Sequence, residues 1–194
     1  HIYKPHPLSA VTAFSVSAAE DVTETKIYFE VPTEIWADAL VKTDVSALKV
    51  YAHTYAVAGD PGYKETSWQT KGEVCKYVSG NIYSYDIDAK YKRTLKDGAD
   101  YVAIFSIVGD KSYQTCNVTM GKSCYGDTIV VTGETYENSQ DSQKKDYRSV
   151  WKSKANAAVY GPKLEITSTG RVVGESIPTS ITAEEMVAQF QTDL

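Results

Sequence analysis

A row of ring-bearing side chains lies in one short stretch of this chain, residues 49–55. If the stretch is a strand, Tyr51, His53 and Tyr55 point to one face, whereas Val50 and Ala52 point to the other. Rings held on a rigid sheet suit flat, weakly amphipathic ligands, because each ring can lie against the C–H face of a sugar while its polar edge stays in water. We therefore expect a carbohydrate-binding surface at this strand.

A tryptophan follows this row after a turn. Trp68 lies in the polar stretch 66–71, so it has little apolar company and is a candidate exposed platform. Stacking alone discriminates poorly between sugars, and groups that both donate and accept hydrogen bonds suit adjacent hydroxyls. In the competing interpretation, the tyrosines merely cover a second layer and the charged side chains form ordinary surface pairs. The predicted carbohydrate-binding residues are His53, Tyr55, Trp68, Lys71, Glu73 and Gln114.

Composition excludes several classes of function. The chain has 25 acidic and 20 basic residues, which argues against binding to nucleic acid or to an anionic membrane surface. It has no apolar run of about 18 residues, so we expect no membrane insertion. It also lacks the common nucleotide-binding, nucleophile and zinc motifs, and pairs of carboxylates that could cleave glycosides occur in any chain this acidic. We expect no catalytic residues, no cofactor and no metal.

The pattern of short segments predicts a mainly β protein. Fifteen tyrosines accompany many valines, threonines and isoleucines, and short alternating runs recur between turn signals. Their spacing predicts an all-β fold, a β-sandwich of the immunoglobulin-like or jelly-roll-like kind, and no βαβ alternation is visible. The predicted strands cover about 10–17, 26–31, 47–55, 82–88, 100–107, 113–119, 128–132 and 163–173.

The length fits a single domain over residues 1–194. Within it we predict a β-sandwich core at 26–132 and an extension at 133–194 that packs on the core. The three cysteines permit one disulfide at most, and Cys116 and Cys124 could close a short loop. Spacing alone does not distinguish that bridge from ordinary small apolar residues.

Short helices are predicted in the extension. A strongly polar stretch at 137–146 resembles the entry to a solvated helix, and the apolar residues after it follow at i, i+3 and i+4. A capping-box pattern at 182–185 precedes a second apolar stripe near the end of the chain. The stripes are Tyr147, Val150 and Trp151, then Met186, Val187 and Phe190. We expect Trp36 and Trp151 in the core.

Several motifs occur in the order found in starch-binding modules. The stretch from 26 to about 120 resembles the family 25 and 26 carbohydrate-binding modules, and the order of the motifs is more specific than any one of them. The fuller chain, including 124–128 and 160–162, is similar to the starch-adherence proteins of anaerobic gut bacteria, which organise cell-surface amylosomes. The motifs are 26–29, Trp36, 50–55, 67–73, 80–86, 102–106 and 114–115.

The resemblance implies a β-sandwich that binds starch, amylose, amylopectin and maltooligosaccharides without cleaving them. It places the two strand aromatics of the family on His53 and Tyr55, with a His where a Tyr is more usual, and the loop tryptophan on Trp68. It assigns the polar contacts to Lys71, Glu73 and Gln114. We expect weak affinity, roughly micromolar to millimolar, because an exposed groove buries only part of a short sugar.

The resemblance also implies an extracellular protein, secreted or attached to the cell surface, whose partners include other modules of the same polypeptide or surface complex. The chain begins at His1 without an initiator methionine, as in a processed secreted protein or a piece of a longer one. Two other hypotheses remain open. One is a protein-interaction β-sandwich of a surface scaffold, and the other is a fragment of a glycoside hydrolase.

Overall fold

The chain folds mainly into β-strands, which confirms the all-β class. In a computed structural model of the protein, the described residues are 24–40, 42–88, 92–138, 145–161, 165–166 and 172–173. Their helices are short: α1 (Ala37–Leu40) and three 3-10 turns at Val45–Ala47, Trp68–Thr70 and Lys122–Cys124. None of the helices in these ranges has the length and apolar character to cross a membrane.

The strands join in one large mixed sheet. They are β1 (Lys26–Glu30), β2 (Val50–Ala58), β3 (Glu73–Val74), β4 (Lys76–Ser79), β5 (Ile82–Asp86), β6 (Asp100–Ile107), β7 (Tyr113–Thr115), β8 (Asn117–Met120), β9 (Thr128–Glu137), β10 (Lys145–Lys152), β11 (Val159–Tyr160), β12 (Glu165–Ile166) and β13 (Val172–Val173). The hydrogen-bonded order is β13-β12-β8-β6-β7-β10-β9-β1-β5-β4, while β2 pairs with β3 and β6, and β11 pairs with β10.

The predicted strands that lie among the described residues each overlap at least one observed strand, but β3, β4, β10 and β11 were not predicted as strands. The segment predicted at 47–55 is β2, which pairs antiparallel with β6 over almost its whole length. The strand predicted at 113–119 divides at Cys116, whose backbone N–H instead donates to Tyr147 at 2.8 Å. The predicted strand at 128–132 continues to Glu137 as β9. The one at 163–173 contains β12 and β13, and the one at 10–17 lies outside the described residues.

The core forms between strands that do not pair with one another. Phe29 of β1 stacks on Phe105 of β6 with ring centroids 4.8 Å apart. Trp36 and Trp151 are completely buried, as predicted. The indole N–H of Trp151 donates to the carbonyl of Thr119 at 3.0 Å, which satisfies its one polar group inside the core. These large rings fix how the strands around the site pack.

The helix predicted around Tyr147, Val150 and Trp151 is wrong, because these residues belong to strand β10. β10 pairs antiparallel with β9 and parallel with β7, and its pairing with β9 shifts register between Tyr147 and Ser149. Such a bulge changes the alternation of a strand, so apolar residues spaced at i, i+3 and i+4 can all contact the interior. The helix predicted at 182–190 lies outside the described residues.

The sheet extends past residue 132, the predicted end of the β-sandwich core. β9 crosses residue 132, and β10 from the predicted extension lies between β9 and β7. The domain boundaries stay a prediction. Cys75, Cys116 and Cys124 are buried free thiols.

Candidate binding groove

The aromatic face of β2 opens into a groove, which we call the ring groove. Its volume is about 390 Å³, within the range of small-molecule sites. Its walls come from β2, β6, β7, β8, the loop before Trp68 and the residue after β9. The lining residues are His53, Tyr55, Glu65, Trp68, Ile104, Gln114, Asn117 and Asn138.

His53 lies at the base of the groove rather than on an open face. It is only 4% exposed, and its Nδ1 lies 2.6 Å from the hydroxyl of Thr66. Its Nε2 faces the carboxylate of Glu65 at 3.8 Å. Burial lowers the pKa of His53 to about 4, so the imidazole is neutral around pH 7. A neutral ring can stack and hydrogen-bond, but it brings no positive charge to a ligand.

Tyr55 forms the next part of the same wall. Its ring centroid lies 5.4 Å from that of His53, with the two planes inclined at 38°. The side-chain amide of Asn117 on β8 donates to the Tyr55 hydroxyl at 3.0 Å. Burial, together with the Glu65 carboxylate, raises the pKa of Tyr55 and keeps its hydroxyl protonated. Asn117 therefore holds the ring in place and leaves a hydroxyl proton for a ligand.

Trp68 lines the groove next to His53 and is partly exposed, as the sequence predicted. It is 36% exposed, and its ring centroid lies 5.0 Å from that of His53 at an angle of 55°. It begins the 3-10 turn Trp68–Thr70. The backbone N–H of Gly72, after the turn, donates to the carbonyl of Ser67, before the turn, at 2.8 Å. The turn thus fixes the indole relative to β2.

A glycine allows this turn to lie against the strand. Gly72 has a φ of +98°, and a Cβ added to it would lie 1.9 Å from the carbonyl oxygen of Ala52. Glycine has no Cβ and adopts positive φ without strain, so it alone permits so close an approach. Lys71 before it also has a positive φ, +64°. The position of Trp68 therefore depends on a backbone contact with the residue next to His53.

Lys71 lies beside the indole rather than at the bottom of the groove. Its ammonium nitrogen is 4.8 Å from the centroid of the Trp68 ring, which is cation–π distance. Lys71 is not among the residues that line the groove, so the structure places this predicted contact next to Trp68 and not inside the groove.

Gln114 also reaches the groove, but it is 6% exposed and already engaged. Its side-chain amide donates to the carboxylate of Asp146 at 2.9 Å, and Asn138 donates to the same oxygen at 3.1 Å. The parallel pairing of β7 with β10 brings Gln114 opposite Asp146. The polar wall of the groove is therefore a network of two amides and one carboxylate.

Glu73 is not brought into the ring groove. Its carboxylate accepts from the Tyr85 hydroxyl at 2.7 Å and from Arg93 at 3.0 Å. These residues line a second cavity of about 840 Å³, which shares Glu65 with the ring groove. Lys26, Lys64 and Lys76 add charge there. That cavity is larger, but it is lined mainly by charged side chains and not by a set of aromatic rings.

Sequence reasoning missed part of the groove. Asn117 was visible only as part of the sequence Asn-Val-Thr within a predicted strand. Asn138 and Asp146 fell in the polar stretch interpreted as a solvated helix entry. Ile104 alternates regularly within β6, and its cross-strand pairing with His53 depends on the fold. Only knowledge of strand pairing could have placed these residues together.

No known protein family matches this chain, and no curated protein matches it. The groove is therefore interpreted from its own geometry. Three rings, one of them a buried neutral imidazole, together with fixed side-chain amides suit an uncharged polar ligand with flat apolar faces.

Proposed function

We propose that this protein is a non-catalytic starch-binding module that holds α-1,4-linked glucose chains in the ring groove. It would anchor a secreted or cell-surface protein to starch, amylose, amylopectin or maltooligosaccharides, as its resemblance to family 25 and 26 modules implies. The other modules of the polypeptide or surface complex would then add avidity.

The inclination of the three rings carries this proposal. The plane of the His53 ring is inclined at 38° to that of Tyr55 and at 55° to that of Trp68. The three rings are therefore not coplanar. Successive glucose units of an α-1,4 chain turn through an angle, whereas β-1,4 chains are flat. Mutually inclined rings therefore suit the α-linked chain better than the flat one.

The groove also supports binding without cleavage. Glycosidases of the usual kinds use two carboxyl groups on either side of the scissile bond. Of the described residues that line the ring groove, Glu65 alone carries a carboxylate, and its side chain is 59% exposed. Asp146 lies behind the wall and accepts from two amides. The arrangement lacks the opposed pair that hydrolysis needs.

The β-sandwich expected from the resemblance belongs to the same proposal. Phe29 and Phe105 stack face to face although their strands, β1 and β6, do not pair. Such contacts occur where the inner faces of two sheets pack on each other. Short helices at the C-terminal end stay an expectation.

Isothermal titration with maltoheptaose tests the proposal, with cellohexaose as the control sugar. Trp68→Ala should abolish or strongly weaken the binding of maltoheptaose. Tyr77→Ala is the matched control, because Tyr77 is also a ring with 36% exposure but lies on β4, outside the ring groove. Equal binding of both sugars would refute the α-glucan preference, and binding that survives Trp68→Ala would move the site elsewhere.

A protein-interaction module is the second candidate, and one observation favours it. Val74, Tyr77 and Val78 are 65%, 36% and 47% exposed, and they lie within one short stretch of the chain on β3 and β4. Exposed apolar surface is typical of protein interfaces. No heat with either sugar would refute starch binding and leave this candidate.

A further inference from the structure

Asp146 is a nearly fully buried carboxylate behind the wall of the ring groove. It is 1% exposed, and it is the second residue of β10. Gln114 on β7 donates to its Oδ1 at 2.9 Å, and Asn138, next to the end of β9, donates to the same atom at 3.1 Å. Both amide residues line the groove. Asp146 thus contacts two groove residues without lining the groove itself.

The carboxylate determines which way both amides point. An ionised carboxylate can only accept hydrogen bonds, whereas each amide has one end that donates and one that accepts. Gln114 and Asn138 must therefore turn their NH₂ groups toward Asp146. The carbonyl oxygen of Gln114 therefore turns away from it. Because Gln114 and Asn138 are 6% and 9% exposed, neither amide has room to adopt many alternative orientations.

We propose that Asp146 is a positioning residue that makes this wall of the groove an acceptor surface for sugar hydroxyl groups. This inference rests on the proposed binding of α-glucans and adds to it a basis for selectivity. One donor lies elsewhere in the groove, the Tyr55 hydroxyl, which itself accepts from Asn117. A second, the Lys71 ammonium, lies beside the Trp68 ring but is not among the residues that line the groove. A ligand must therefore donate at the Gln114 wall and accept near Tyr55 or Lys71. A sugar with adjacent hydroxyls can do both.

The test is isothermal titration of maltoheptaose into wild type and Asp146→Asn. The substitution keeps the shape of the side chain and one oxygen that can accept from both amides. That oxygen is neutral and the other terminal atom becomes a donor, so both hydrogen bonds weaken and the orientation of the two amides is held less firmly. We expect affinity to fall about tenfold, the effect of about one lost hydrogen bond to a ligand. Asp127→Asn is the matched control. Asp127 is 7% exposed and accepts from the backbone N–H of Lys154 at 2.9 Å, outside the groove.

A double-mutant cycle separates positioning from general stability. In a Gln114→Ala, Asn138→Ala background, Asp146→Asn should change affinity less than twofold, because the groups through which it acts are gone. A merely structural carboxylate would lower affinity equally in both backgrounds, and that result would overturn the proposal. Thermal unfolding of Asp127→Asn and Asp146→Asn shows whether equal losses of stability give unequal losses of affinity.

Two outcomes distinguish a failure of this inference from a failure of the proposed starch binding on which it rests. If wild type does not bind maltoheptaose, the proposed function fails and the inference fails with it. If wild type binds and Asp146→Asn binds equally well, only the positioning role is refuted. Should Asp146→Asn not fold, amide NMR of the wild type decides. The side-chain NH₂ protons of Gln114 and Asn138 should exchange slowly with and without maltoheptaose, and fast exchange would refute the inference.

Discussion

Replacing Gly72 by alanine should separate Trp68 from the ring face of β2. The added Cβ would lie 1.9 Å from the carbonyl oxygen of Ala52 and 2.7 Å from the Cα of His53. Both atoms belong to the backbone of β2, which is held by its pairing with β6. Neither atom can move aside easily, whereas the far end of a flexible side chain could. The turn that carries Trp68 must therefore move.

Two effects determine how much stability the Gly72→Ala variant loses. A non-glycine residue at positive φ costs about 1–2 kcal/mol, and forcing an extra methyl group into a packed contact costs about 1–3 kcal/mol more. We expect Gly72→Ala to lower the free energy of unfolding by about 2–5 kcal/mol, against typical domain stabilities of about 5–15 kcal/mol. Gly98→Ala is the control, because Gly98 has a φ of +76° but no atom within 4 Å of an added Cβ. It should show only the first effect.

Urea unfolding of the two variants measures the difference, and titration with maltoheptaose measures its effect on the groove. Gly72→Ala should be less stable than Gly98→Ala by about 1–3 kcal/mol. Among the molecules that remain folded, affinity should fall at least tenfold if Trp68 and His53 act as one surface, and Gly98→Ala should bind as wild type. Equal stability of the two variants would refute the close approach of the turn to β2.

Three further predictions concern side chains around the groove. His53 has a pKa of about 4 when folded and 6.5 when unfolded, so the folded state binds fewer protons between these values. The contribution of His53 to the free energy of unfolding should be complete above pH 6.5 and be lost as the pH falls toward 4, a change of at most about 3 kcal/mol. In urea unfolding at a series of pH values, His53→Gln should reduce this pH dependence. Glu73→Gln should lower stability by about 1–3 kcal/mol, because the buried Arg93 loses its carboxylate partner. Maltoheptaose affinity should stay within about twofold of wild type, and a tenfold loss would place Glu73 in the site after all. Lys71→Met should weaken binding about two- to tenfold by removing one donor beside Trp68, a smaller loss than that of Trp68→Ala in the same titration.

Local patterns were enough to predict the strands that carry the rings. Val50 and Ala52 are completely buried, as their alternation with Tyr51 and His53 predicts. β6 is recognisable as a continuous apolar run, which is typical of a strand buried on both faces. Period and composition are properties of neighbouring residues, so the sequence contains them directly.

The environment of His53 could not be predicted in the same way. Alternation places its ring on the face opposite Val50, but that ring is buried by a loop whose Thr66 contacts it from 13 positions away. A side-chain period indicates which residues share a face. It does not indicate what later segment covers that face, because loop closure depends on the whole fold.

Asp146 was missed because it lies in a strongly polar stretch. The stretch 137–146 is so polar that it predicts exposure, yet Asn138 and Asp146 are among its buried residues. Polar side chains can be buried when they satisfy one another, and here one carboxylate accepts from Asn138 and from Gln114. The second partner lies 32 positions away and meets Asp146 only through the parallel pairing of β7 and β10. A polar stretch therefore predicts exposure to solvent only where no such partner is brought to it by another strand.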